Sequence, residues 1–122
     1  MRDNKDLVSA VEAKKESILL LEQALTGEDL PADVIEDYGL DDPDDWFFTL
    51  FGSFVLEATT IKRNDELSAI ELLLGYGGPS IRATVYETGR VDVKGDWWFD
   101  TYSDVMYAET LADTLFDVYA QV

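Results

Sequence analysis

The stretch Ile81-Arg-Ala-Thr-Val-Tyr-Glu-Thr-Gly-Arg-Val-Asp-Val-Lys94 alternates apolar and polar residues on both sides of Thr88-Gly89. Ile81, Ala83 and Val85 face one way and Arg82, Thr84 and Tyr86 the other, the two-residue period of a half-buried strand. Thr88-Gly89 joins this strand to Arg90–Lys94 as a β-hairpin. Upstream, Leu67 to Tyr76 places Ile70, Leu72 and Leu74 on one face, and Gly77-Gly78-Pro79 breaks that ladder. Further back, Phe54, Leu56, Ala58 and Thr60 alternate against Val55, Glu57, Thr59 and Ile61, with a turn at Asn64-Asp65-Glu66. Four antiparallel strands are expected within 53–100.

On either side of the strands the period is helical. Leu7, Val11, Ile18, Leu21 and Leu25 recur at steps of three, four or seven, which predicts a helix from Lys5 to Leu25 with Lys14 at its border and Thr26-Gly27 at its end. Pro31 suits the first turn of a short helix to Tyr38, closed by Gly39 in a left-handed cap. Asp42 or Asp44 caps a turn at Pro43, and the run Trp46, Phe47, Phe48, Leu50 and Phe51 is expected in the core. Ser103 or Asp104 caps a last helix over 103–121, with Ala108, Leu111, Ala112, Leu115, Val118, Tyr119 and Val122 on one side. The expectation is an α+β fold in one domain over 1–122: helices in 1–52, a sheet in 53–100 and a closing helix.

Nine basic residues stand against 26 acidic ones, a net charge of −17, while 47% of the residues are hydrophobic. The chain therefore has the apolar content to fold despite self-repulsion. Negative charge of this size repels nucleic acid and anionic lipid, so the expected partner is a basic protein surface, with no direct nucleic acid and no membrane. The opening residues lack the basic-then-apolar order of a signal peptide, and no uncharged run approaches a membrane span, so a cytoplasmic location is expected.

With no histidine and no cysteine, the usual serine triad, thiolate nucleophiles, and histidine or cysteine metal sites are excluded. Gly75-Tyr-Gly-Gly-Pro79 enters a strand and is followed by no Gly-Lys-Ser/Thr, so it is not a phosphate loop. Asp41-Asp42-Pro43-Asp44-Asp45 lacks the ligand spacing, central glycine and closing glutamate of a calcium loop. Carboxylate pairs are too abundant for any one to mark a glycosidase. No enzyme, cofactor or metal is expected.

The acids are unevenly placed. Glu28 to Asp45 holds Glu28, Asp29, Asp33, Glu36, Asp37, Asp41, Asp42, Asp44 and Asp45, and Asp96 to the C-terminus holds Asp96, Asp100, Asp104, Glu109, Asp113 and Asp117, neither with a lysine or arginine. Glu109, Asp113 and Asp117 fall on one side of the last helix, about 6 Å apart along its axis. Unrelieved like charges at this spacing weaken a helix. A rigid row of carboxylates imitates backbone phosphates and suits a channel built for nucleic acid. The plainer alternative is a solvated face. Trp97 and Trp98, beside Asp96 and Asp100, add a candidate aromatic contact, with Trp97 and Phe99 expected to face opposite to Trp98.

Glu71-Leu-Leu-Leu-Gly-Tyr-Gly-Gly-Pro-Ser-Ile-Arg82 resembles a strand–turn–strand motif in small uncharacterised proteins of phages and other mobile elements, and Asp96-Trp97 is similar to their Asp-Trp element. Trp98-Phe99-Asp100-Thr101 departs from the Gly-Thr-Pro-like continuation of that family. The resemblance implies a mobile-element origin and an acidic inhibitor of host defence, of the anti-CRISPR or anti-restriction kind, and it supplies no catalytic residues. Gly77, Gly78 and Pro79 are read as a register-setting turn, with Arg82 pairing locally with an acid such as Glu71. Two other expectations fit the charge: an acidic immunity protein or antitoxin that captures a basic toxin, and an acidic protein of a salt-adapted organism.

Overall fold

A computed structural model describes residues 5–120. Lys5–Thr26 forms the long helix α1, followed by α2 (Ala32–Asp37), a 3₁₀ turn (Pro43–Asp45) and α3 (Trp46–Phe54). Five strands follow, β1 (Glu57–Arg63), β2 (Glu66–Gly75), β3 (Ser80–Tyr86), β4 (Arg90–Trp97) and β5 (Asp100–Tyr107), and α4 (Glu109–Tyr119) closes the chain. Every strand pairs antiparallel with the next, in the order β1-β2-β3-β4-β5. No helix among the described residues is long and apolar enough to cross a membrane.

Register explains why the sheet has one dry face. The rows Ile70, Val85, Val91, Met106 and Leu72, Ala83, Val93, Asp104 run straight across β2 to β5. All the aliphatic members of these rows on β2, β3 and β4 are buried, and α1 lies against β4 and β5 while touching α3 and α4. Leu7, Val11, Ile18 and Leu21 are the buried positions of α1, as its spacing requires. The opposite rows, such as Leu73, Arg82, Lys94, Ser103 and Glu71, Thr84, Asp92, Val105, face away from the helices. On that open face Arg82 pairs with Glu71 at 2.9 Å, the local pairing expected, and Arg90 with Asp92 at 2.7 Å.

The α+β class is as expected, but the sheet has five strands rather than four. Residues 100–107, where Ser103 and Asp104 were expected to open the last helix, form β5, and the helix begins at Glu109 after Ala108. Strand structure also starts later than Phe54, because α3 continues to that residue, with Phe47, Leu50 and Phe54 turned into the core. The apolar position expected at Val122 lies outside the described residues.

Asp104 is therefore a packing-side residue of an edge strand. Lys15 of α1 reaches its Oδ2 at 2.6 Å and Glu12 at 3.3 Å, bridging helix to sheet. The Lys15 ammonium, and then the Val105 backbone N–H, hold the Asp104 carboxyl below its ordinary range, while Asp104 foremost raises Lys15 against the lowering effect of burial. The stabilisation from Asp104 is present above the unfolded carboxylate value of about 3.9 and lost as pH falls through the lower folded value; that from Lys15 is present below about 10.4 and lost as pH rises through the higher folded value. An Asp104→Asn variant should show a small melting-temperature deficit that is constant between these limits and vanishes in acid. A deficit that persists unchanged in acid would assign it to packing rather than charge.

Candidate functional site

The N-terminal acidic tract is carried on a loop pinned at intervals. Leu30 and Leu40 are buried, and the Leu40 N–H donates to the Ile35 carbonyl at 2.9 Å as the chain leaves α2. Gly39, at φ +61°, takes the left-handed conformation that the closing turn needs. The Asp42 side chain accepts from the Asp44 N–H at 3.0 Å and opens the 3₁₀ turn, so this acid is also a local cap. Asp41, Asp42, Asp44 and Asp45 are all exposed, as are Glu28, Asp29, Asp33, Glu36 and Asp37. No three acids among the described residues converge as a metal site.

The C-terminal rail is held by an acid that no local sequence pattern marks. Ala108 offers no side-chain cap to α4; instead both carboxylate oxygens of Glu22, on α1, accept from the first turn, Thr110 N–H at 3.2 Å and Leu111 N–H at 2.6 Å. A carboxylate there also meets the positive end of the helix dipole. With Leu111, Ala112 and Leu115 buried, Glu109, Asp113 and Asp117 are exposed on the far side.

The N-terminal tract and α4 border one groove. Thr114, which lies between Asp113 and Asp117 in sequence, lines a groove of about 510 Å³ whose other walls are the end of α1 and the start of α3, with Asp29 and Asp44 among its lining residues. Its apolar wall includes Leu25, Trp46, Phe47 and Phe48. The aromatic run expected in the core is thus divided: Phe47 is buried, Trp46 half-buried, and Phe48 is 71% exposed. Phe48 meets Phe47 edge-on at 5.6 Å between ring centres, so its exposed ring is supported from below. Helical spacing carried this signal, since Phe47, Leu50 and Phe54 share a face that Phe48 does not. The Trp46 Nε1–H is buried without an acceptor, the single such side-chain nitrogen or oxygen among the described residues, and leaving it so costs about 1–3 kcal/mol.

Asp96, Trp97, Trp98 and Asp100 belong elsewhere. They form the tip of the β4–β5 hairpin, where Asp96 accepts from the Thr101 hydroxyl at 2.9 Å. Trp98 takes φ +59° in the turn, so the expected strand alternation through Trp97, Trp98 and Phe99 does not occur; Trp98 is 75% and Phe99 fully exposed. Trp97 is half-buried and lies against the Gly78 turn. This tip sits over the N-terminal half of α1, where Gly95 meets Leu7 and Val11, whereas Gly89 meets Glu109 at the opposite end of the sheet. The C-terminal acids are therefore not one surface: Asp96 and Asp100 are at one end, Asp104 is engaged with Lys15, and Glu109, Asp113 and Asp117 share α4 with Thr114 of the groove.

No family model, curated protein or solved structure matches this chain.

Proposed function

We propose that this chain is an acidic nucleic-acid mimic that inhibits a defence nuclease or effector complex, of the CRISPR or restriction kind, by occupying its basic nucleic-acid-binding site. The observation that carries the reading is the segregation of charge. Residues 5–54 hold thirteen acidic side chains against three basic ones, and α4 holds three against none. Strands and turns from Glu57 to Tyr107 hold nine against five, and two of those five bases are neutralised by acids on the open face. A surface acidified only for solvation has no reason to be so one-sided. The acids gathered around the helical layer repel one another, and a basic channel would relieve that repulsion on binding.

Competition is the direct test. A guide-loaded CRISPR effector and a restriction endonuclease are each incubated with fluorescent duplex DNA, and release of the DNA is followed as this protein is added. Release is expected from a susceptible enzyme, weakening steeply between about 50 and 200 mM salt. Replacing Glu109, Asp113 and Asp117 by lysine, or Asp41, Asp42, Asp44 and Asp45 by lysine, should cost at least about tenfold, or roughly 1.4 kcal/mol, on the contacting face. Tight, salt-sensitive binding of naked DNA by the protein itself, or indifference of every responsive enzyme to both reversals, would defeat the mimic reading.

A further inference from the structure

We infer that the groove between α1, α3 and α4 is a receptor for an arginine side chain on a basic segment of the partner protein. The inference rests on the reading of the chain as a binder of basic protein surfaces and adds to it a specific chemical contact.

Three properties of the groove define its occupant. Its wall is aromatic, with Trp46, Phe47 and a largely exposed Phe48. Its lining includes the exposed acidic residues Asp29 and Asp44, and no lysine or arginine lies between Glu28 and Asp45 in sequence. Its volume of about 510 Å³ exceeds what one side chain fills, so the flanking backbone of an extended segment can enter too. An apolar ligand would leave the carboxylates unmatched, and an anion would be repelled by them. A lysine ammonium satisfies the charge but is strongly hydrated and has no flat surface to lay on a ring. A guanidinium is planar, stacks on aromatic faces and donates in a fork that a carboxylate accepts. Its aliphatic stem covers the rest of the apolar wall. The hairpin tip with Trp98 and Phe99 is more exposed, but there the Asp96 carboxylate already accepts from the Thr101 hydroxyl at 2.9 Å.

The test uses the full chain and amidated nona-arginine, with nona-lysine for comparison. The indole N–H resonances of Trp46, Trp97 and Trp98 are assigned by single Trp→Phe variants and followed by two-dimensional ¹⁵N NMR during titration. The Trp46 signal should move with occupancy while those of Trp97 and Trp98, at the far end of the sheet, stay in place. Nona-arginine should bind about tenfold more tightly than nona-lysine. Phe48→Ala, which removes an exposed ring, and the pair Asp29→Asn with Asp44→Asn should each weaken nona-arginine about five- to tenfold, with the melting temperature showing that both variants are folded. If the arginine peptide binds without moving Trp46, or with equal affinity to Phe48→Ala, the groove is not the receptor, and general acidic capture of basic segments stands alone. If neither peptide binds at low salt, the groove and the wider reading fall together.

Discussion

A Gly95→Val variant is expected to melt roughly 5–10 °C below the parent, the counterpart of about 1–3 kcal/mol of overpacking. Gly95 lies on the dry face of β4, opposite Ile81 and Tyr102. A Cβ placed there would approach Val11 Cγ2 to 2.7 Å and Leu7 Cδ1 to 2.9 Å, closer than packed carbons allow, so these side chains would have to turn away or α1 would have to lift. The branches of valine reach further into the same space. Lifting α1 also disturbs Ile18 and Leu21, which are fully buried farther along that helix. The sign is informative because valine is the better strand residue and glycine weakens strand interiors. Gly95→Ala should fall between the two. A higher melting temperature for valine would mean that α1 does not seat on β4 as described.

Glu22→Ala should cost about 1–3 kcal/mol, since it leaves two partly buried N–H groups at the start of α4 without acceptors. Here too the simplest expectation has the opposite sign. Removing one acid from a chain of net charge −17 relieves repulsion, and most exposed acids should behave so when neutralised. Glu22→Gln keeps one acceptor oxygen and should recover part of the loss. Thermal melts of the two variants beside Glu16→Ala, an exposed acid on the same helix, would separate capping from charge. Hydrogen exchange should show faster opening at Thr110 and Leu111 in the alanine variant. If Glu22→Ala melts as high as Glu16→Ala, α4 does not depend on this carboxylate.

Legibility followed the strength of the local pattern. α1 and the central strands were readable because buried aliphatic residues repeat at the period of their element; Ile70, Leu72 and Leu74, then Ile81, Ala83 and Val85, leave little choice. β5 was not, for two physical reasons. It is an edge strand whose inward residues are Tyr102, Asp104 and Met106, none of them fully buried, so its alternation is weak. The turn before it is made by Trp98 and Phe99, where glycine or asparagine normally marks a tight hairpin. Ser103 and Asp104 then supplied a false capping signal just ahead of a true helical spacing. The exposed acids of α4 were readable from their four-residue step. Their neighbourhood was not, because the groove joins Asp29, Phe48 and Thr114 across tertiary contacts that no local period encodes. Glu22 escaped for the same reason: one acid among 26 has no sequence mark that sets it apart.

The order of the strands also bears on how the chain is made. Each ladder of the meander joins neighbours in sequence, so hairpins can close one after another as the polypeptide leaves the ribosome. α1 is synthesised before the strands that form its floor, β4 and β5. Lys15 waits 89 residues for Asp104. Until β4 is made, the stripe of Leu7, Val11, Ile18 and Leu21 lacks the main part of the sheet that covers it, a state prone to association with other nascent chains. The acidic loop and α3 emerge directly behind it, giving the growing chain a strong negative charge before its apolar surface is sealed. Electrostatic repulsion between unfinished copies would then guard the chain until α1 is covered, whatever use the finished molecule makes of the same acids.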